Sequence, residues 1–209
     1  MAADRDPATR VPPARRAGSP GARDRNDSYR ICVVCLGNIC RSPMAEVILR
    51  DELGRAGLAG QVTVESAGTG DWHIGGPMDP RARAELGRRG YDGSAHIARQ
   101  IQPDWLAGYD LFVVMDRMNL ADLRRLAARD PELANGRITL MRSFDPVAEA
   151  EAEVPDPYHG GPAEYEETFE LVHAAARGLT GRLAELLTER NGPVGVGQPA
   201  GDETGPRQP

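Results

Sequence analysis

The sequence contains no lysine, and all 25 of its basic residues are arginines. With 31 acidic residues the formal net charge is −6, which gives no reason to expect a nucleic-acid partner, because such partners select basic surfaces. Long hydrophobic runs are also missing, and no stretch approaches the roughly 20 apolar residues of a membrane-spanning helix. These absences favour a soluble globular protein that binds neither nucleic acid nor membrane.

Cysteine is scarce and confined to one place. Cys32, Cys35 and Cys40 lie in a single short stretch, so no disulfide framework can span the fold. This distribution suits a reducing compartment, and no apolar segment near the start resembles a signal peptide. We therefore expect a cytoplasmic location.

Two segments of biased composition flank the rest of the chain. Residues 1–28 are rich in Arg, Pro, Ala, Gly and Asp, and residues 191–209 in Gly and Pro. Neither segment has enough large apolar side chains to offset the entropy of ordering, so we expect both to be disordered. The remaining residues, 29–190, suit one domain with a sizeable core.

Within that domain, short apolar runs alternate with helical patterns. The runs predict strands at 31–35, 62–66, 111–115 and 138–141. The patterns predict helices from Pro43 to about Gly54, at 81–89, after Pro103, at 119–128 and at 164–189, with long loops at 67–80 and 145–161. Such alternation predicts a three-layer α/β fold, with a mainly four-stranded parallel sheet between helices on both faces.

The first strand runs into a loop that predicts an anion site. Gly37 and Asn38 lie in this loop, and Ser42-Pro43 is typical of a helix start with serine as the cap. Loop amides and the helix dipole favour bound anions, and ligands of parallel sheets bind at the carboxyl ends of strands. Cys35 opens the loop and Arg41 closes it, which predicts a thiolate nucleophile facing a guanidinium that binds two phosphate oxygens.

The cysteines could instead be structural residues or metal ligands. A buried structural cysteine fits Cys32, which belongs to the apolar strand, better than Cys35, which ends it. A metal site at Cys32-x-x-Cys35 lacks a second pair of ligands, and strand spacing points the two thiols apart. We expect neither a metal nor a cofactor.

The run Cys-Leu-Gly-Asn-Ile-Cys-Arg-Ser-Pro at 35–43, followed by Met-Ala-Glu, resembles the signature of the low-molecular-weight protein tyrosine phosphatases. The resemblance extends from about Tyr29 to Gly192, and residues 66–75, 142–146 and 189–192 resemble the actinobacterial branch. It implies hydrolysis of phosphotyrosine in protein substrates through a cysteinyl-phosphate intermediate. We further expect a monomer or weak dimer.

A general acid is needed for the leaving oxygen, and the residues alone do not choose it, because Asp-Pro occurs five times. By resemblance, Val154–Tyr158 is the family's acid loop, which makes Asp156 the general acid and then the base. Asp145 is the alternative.

The resemblance also implies supporting roles. Asn38, Ser66 and His96 brace the loop in a network with Ser42. Cys40 forms a reversible disulfide that shields Cys35 from over-oxidation.

The substrate ring is held, by the same resemblance, between aromatic walls formed by Trp72 and Tyr158. Leu36 and Ile39 supply an apolar rim. His159 stands where the family often has a second tyrosine, which removes a tyrosine phosphorylation site but should leave catalysis intact.

Three other functions compete with phosphotyrosine hydrolysis as interpretations of the sequence. A thiol-dependent arsenate reductase needs further cysteines downstream, and none follows Cys40. Protein-arginine phosphatases of the same fold carry threonine where Ile39 stands. A non-catalytic phosphoresidue-binding module would not need an intact cysteine, arginine and aspartate.

Overall fold

The computed structural model describes residues 28–191. Its sheet contains four parallel strands in the order β2-β1-β3-β4. The strands are β1 (Tyr29–Cys35), β2 (Val62–Gly68), β3 (Leu111–Val114) and β4 (Ile138–Leu140). The α-helices are α1 (Arg41–Arg55), α2 (Pro80–Arg88), α3 (Arg117–Leu126), α4 (Pro131–Gly136) and α5 (Pro162–Asn191), with 3-10 helices at Pro103–Gly108 and Met141–Phe144.

The sheet is covered on both faces, as predicted. One hydrophobic cluster joins β1 and β3 to α1, α2 and α5, and a second joins the opposite face of these strands to α3 and α4. Side chains alternate along β1, so Val33 and Cys35 enter the first cluster while Cys32 and Val34 enter the second. Burial on both sides explains why this strand is a continuous apolar run.

The three-layer fold and its four predicted strands are confirmed, with some boundaries moved by tertiary contacts. Strand β2 runs on to Gly68, because Ala67 and Gly68 pair with the end of β1. Helix α4 was not predicted; Pro131 occupies its first turn, and the Asp130 carboxylate accepts a hydrogen bond from Leu133 N at 3.1 Å.

The start of α1 differs from the prediction. The helix begins at Arg41, and no side chain caps it. Ser42 lies inside the helix, where its hydroxyl contacts Cys35, Asn38 and the carbonyl of Ala67. The prediction of a serine cap was therefore wrong, because the nucleophile loop takes up this hydroxyl.

The segments predicted to be disordered, 1–28 and 191–209, lie outside the described residues apart from Ser28 and Asn191. Among residues 28–191, no helix is both long and apolar enough to cross a membrane.

Candidate active site

The site is built around the thiol at the carboxyl end of β1. Cys35 is 3% exposed, and its Sγ accepts a hydrogen bond from the Asn38 backbone N–H at 3.3 Å. The Ser42 hydroxyl lies 3.0 Å from the same sulfur. Two donors can therefore stabilise negative charge on Sγ.

Asn38 holds the loop in its turn. Its φ of 55° lies in the left-handed region, which asparagine tolerates better than most residues. Its Nδ2 donates to Ser42 Oγ and to Ser66 Oγ, each at 2.9 Å. Its Oδ1 accepts from Arg99 N at 2.9 Å, and its carbonyl lies 2.7 Å from His96 Nε2. The buried amide is thus fully paired, and this pairing sets the loop conformation.

The residues behind Asn38 continue this network. Ser66 Oγ donates to the carboxylate of Glu46, a residue of α1 that the sequence had not singled out. Burial lowers the pKa of His96, despite its contact with the Asn38 carbonyl. A neutral imidazole donates its Nε2–H to that carbonyl, so His96 acts as a fixed donor.

The end of β2 and the two residues after it pack against the loop. A Cβ built on Gly68 would lie 2.7 Å from the Leu36 carbonyl oxygen and 3.2 Å from Asn38 N. Thr69 N donates to the Cys35 carbonyl, and Gly70 N donates to the Leu36 carbonyl, each at 2.9 Å. The glycine at 68 permits this close approach.

Arg41 closes the loop and is 2% exposed. Its Nη2 donates to Asp156 Oδ2 and its Nη1 to Asp116 Oδ2, both at 2.6 Å, and Nη1 also reaches the Val154 carbonyl at 3.2 Å. Burial disfavours the cation, but the negative groups Cys35, Asp156 and Asp116 outweigh it and raise the pKa of Arg41. Its Nε is buried with no hydrogen-bond partner among the described residues, so the guanidinium keeps one donor for a ligand.

Asp116 is a site residue that sequence reasoning missed. It follows β3, and its Oδ1 caps α3 by accepting from Asn119 N at 2.7 Å, while Oδ2 holds Arg41. The signal for it was present, because a capping aspartate directly after a buried strand lies at the ligand-binding edge of a parallel sheet.

The two candidate acids lie in different places. Asp156 borders the cavity above Cys35, has a side chain that is 42% exposed, and accepts from Tyr158 N through Oδ1 at 3.2 Å. Asp145 is buried beside Arg142 and accepts from Val147 N at 3.1 Å. Asp145 does not line the cavity that contains Cys35.

That cavity has a volume of about 300 Å³ and brings most of the predicted residues together. Trp72, 71% exposed, and Tyr158, 40% exposed, stand at its mouth. His73, which the sequence had not singled out, lies with its ring centroid 6.2 Å from that of Tyr158. The lining comprises Cys35, Leu36, Gly37, Ile39, Cys40, Arg41, Trp72, His73, Asp156, Tyr158 and His159. Asn38, Ser42, Ser66 and His96 support it from behind.

The three cysteines are all free, with different surroundings. Cys40 also lines the cavity, and its Sγ lies 3.5 Å from Tyr165 Oη. Burial raises the pKa of Cys40 to about 12, so it stays a thiol at neutral pH. Burial also raises the pKa of Cys32, which lies in the second hydrophobic cluster, away from Cys35. Within residues 28–191, no group of three or more His, Cys, Asp or Glu side chains could hold a metal ion.

A buried thiol and a paired arginine at one anion-binding loop, with an aspartate from a second loop bordering the same cavity, define a cysteine-dependent phosphatase. A sequence model of the "low molecular weight phosphotyrosine protein phosphatase" family matches residues 30–190. The chain belongs to this family.

Curated relatives agree with this assignment. The low molecular weight protein-tyrosine-phosphatase of the actinobacterium Streptomyces coelicolor is 47% identical over 164 residues, covering 78% of this chain and 98% of that protein. The low molecular weight protein-tyrosine phosphatase A of Mycobacterium tuberculosis is 41% identical over 169 residues, covering 80% and 99%. The predicted resemblance to the actinobacterial branch is confirmed.

Solved structures agree as well. A protein tyrosine phosphatase from Entamoeba histolytica, with Hepes in its active site, superposes with a TM-score of 0.70 at 32% identity, covering 77% of this chain and all of that one. YfkJ from Bacillus subtilis gives a TM-score of 0.70 at 34% identity, covering 79% and 99%.

Proposed function

We propose that this protein hydrolyses phosphotyrosine in proteins, with Cys35 as nucleophile, Arg41 as phosphate-binding cation and Asp156 as general acid and base. The observation that carries the proposal is one cavity lined by these three side chains, with Cys35 and Arg41 buried, together with the exposed rings of Trp72 and Tyr158. A phosphate monoester on an aromatic ring matches this lining, because the phosphate can meet the charged side chains and the ring can contact the aromatic ones.

In the first step, the Cys35 thiolate attacks phosphorus in line with the tyrosine oxygen. The S–P bond forms as the P–O bond to tyrosine breaks, and Asp156 gives its proton to the leaving oxygen. The loop amides and Arg41 take up the phosphate oxygens, with the unpartnered Nε of Arg41 as one available donor. When substrate binds, the hydrogen bond from Arg41 Nη2 to Asp156 is therefore replaced by one to a phosphate oxygen.

In the second step, water attacks the cysteinyl phosphate. Asp156 takes a proton from this water, the S–P bond breaks, and inorganic phosphate leaves. The departing sulfur regains negative charge, which the Asn38 N–H and the Ser42 hydroxyl are placed to stabilise. No metal ion enters the scheme.

The proposal extends to location and partners. The free cysteines support a reducing, cytoplasmic location. The phosphotyrosine-bearing partner proteins and a monomeric or weakly dimeric state are proposed from the family resemblance.

The test is hydrolysis of matched phosphotyrosine and phosphoarginine peptides by the wild type, Cys35→Ser and Asp156→Ala. Cys32→Ala is the matched control, because Cys32 lies on the opposite face of the same strand. We expect no turnover from Cys35→Ser, a kcat lowered by about 10²–10⁴ in Asp156→Ala, and wild-type kcat in the control. Turnover by Cys35→Ser would disprove the covalent mechanism, and a preference for phosphoarginine would disprove the substrate class.

A further inference from the structure

Trp72 combines two properties that need explaining together. Its indole is 71% exposed, although a large apolar ring gains by burial, and it still borders the site cavity. An exposed ring on a loop has several rotamers open to it, and a wall that contacts substrate must occupy one of them. Something on the loop must therefore restrict the ring.

Gly70 lies against the indole. A Cβ built on Gly70 would fall 1.8 Å from Cζ3, 2.3 Å from Cε3 and 2.9 Å from Cη2 of Trp72. Because real Cβ atoms do not approach other atoms this closely, even alanine at position 70 would force the ring to another position.

The usual backbone reason for glycine does not apply at Gly70. Its φ lies outside the left-handed region, whereas Gly75 in the same loop has a φ of 81° and would find nothing within 4 Å of an added Cβ. Gly75 is thus required by backbone conformation, and Gly70 by the space its neighbour's ring occupies.

The backbone at Gly70 is also fixed to the nucleophile loop. Its N–H donates to the carbonyl of Leu36, the residue after Cys35, at 2.9 Å. The surface on which the indole rests therefore keeps a set position relative to the nucleophile.

We propose that Gly70 is a positioning residue for Trp72: its bare Cα lets the indole lie against the loop, where the ring forms one wall for the substrate's aromatic ring. The inference rests on the proposed function, since it assigns that site a determinant of specificity for aromatic phosphate esters. Gly70 contacts no reacting atom, so its effect appears in the binding of the ring and not in the chemical step.

The experiment measures kcat and KM for a phosphotyrosine peptide, and the inhibition constant of inorganic phosphate, in Gly70→Ala, Trp72→Ala and the double variant. We expect KM to rise about two- to tenfold in each single variant, which is the usual worth of one aromatic contact. We expect kcat and phosphate inhibition to stay near wild type, because phosphate binds the loop and not the wall. The double variant should match Trp72→Ala, since the displaced ring is already gone.

Gly60→Ala is the matched control, because a Cβ there meets nothing within 4 Å and the φ of Gly60 is ordinary. A second readout uses Trp105→Phe, which leaves Trp72 as the only tryptophan of the chain. In that background Gly70→Ala should lower the fluorescence anisotropy of the indole, and Gly60→Ala should leave it unchanged.

Two results would overturn the inference. The first is an unchanged KM and anisotropy in Gly70→Ala, and the second is a KM of the double variant that exceeds the KM of Trp72→Ala. The second result stays informative even if Gly70→Ala folds poorly, because removal of the indole also removes the clash. Failure of the proposed function would instead appear as turnover by Cys35→Ser. That result does not depend on the variants at Gly70 and Trp72.

Discussion

At the scale of single residues, the charge on Arg41 is shared between two carboxylates with different duties. Asp156 lies at the cavity, where substrate must displace it from Nη2. Asp116 holds Nη1 and simultaneously caps α3, so it keeps its contact when phosphate binds. We infer that Asp116 orients the guanidinium through both halves of the reaction.

Asp116→Asn tests this role. Asparagine still caps a helix, but the substitution removes a charge-assisted hydrogen bond to Arg41, so we expect kcat/KM to fall about ten- to hundredfold. Steady-state kinetics on a phosphotyrosine peptide measures the loss, and thermal unfolding checks that the fold is intact. Asp122→Asn, at a partly exposed position of α3 beside Arg125, is the control. Equal kcat/KM for wild type and Asp116→Asn would show that Arg41 needs no second carboxylate.

Cys40 leads to a prediction about oxidation of the nucleophile. Cys35 oxidised to a sulfenic acid would condense with the Cys40 thiol, releasing water and forming a disulfide that a dithiol reduces. Because the pKa of Cys40 is raised to about 12, this condensation should be slower than one with a free thiolate. We expect dithiol to restore activity after peroxide treatment in wild type and Cys32→Ala, but much less in Cys40→Ser. Full recovery of Cys40→Ser would contradict the protective role.

At the scale of helices and strands, elements with a long regular pattern were predicted best. The apolar runs of the four strands and the helical pattern at 164–189 are local features, and the structure has all of them. The start of α1 and the six-residue helix α4 depend on contacts. A short helix has too few apolar positions to reveal a period, and its cap is visible only once its hydrogen bond is known.

Helix α4 offers a test of capping that should leave the site untouched. Asp130→Ala removes both the acceptor for Leu133 N and the carboxylate that lies 3.6 Å from Arg137 Nη2, so we expect a loss of about 1 kcal/mol or more in the free energy of unfolding, measured in urea. Asp130→Asn keeps a capping side chain and should lose less. Turnover of phosphotyrosine should be unchanged in both, because α4 packs in the second hydrophobic cluster. Equal stability of Asp130→Ala and wild type would rule out the cap as a stabilising contact.

At the scale of the whole molecule, proton binding by His96 couples folding to the nucleophile loop. Burial lowers the pKa of His96 in the folded protein below its ordinary value of about 6.5, so the unfolded chain takes up the proton first as pH falls. This group's contribution to stability is therefore complete above about pH 6.5 and is lost as pH falls below it.

His96→Gln should remove that dependence, since glutamine does not titrate and can still donate to the Asn38 carbonyl. Urea midpoints measured from pH 7.5 to 5 should fall more steeply in wild type than in the variant. Above pH 7, where the histidine is neutral in both states, the two curves should run parallel, which serves as the internal control. Parallel curves over the whole range would show that His96 is not the coupled group.

The sequence by itself determined the parallel α/β fold, the anion-binding loop after the first strand, and the thiol and arginine at its two ends. These features follow from local apolar patterns and from residues close together in the chain. Only the tertiary structure decided which distant groups support this loop: Asp116 on Arg41, Glu46 behind Ser66, and the Gly70 N–H on the Leu36 carbonyl. The physical reason is that such contacts form between segments that are far apart in the chain and meet at one edge of the sheet. Local periodicity does not predict which side chains come together there.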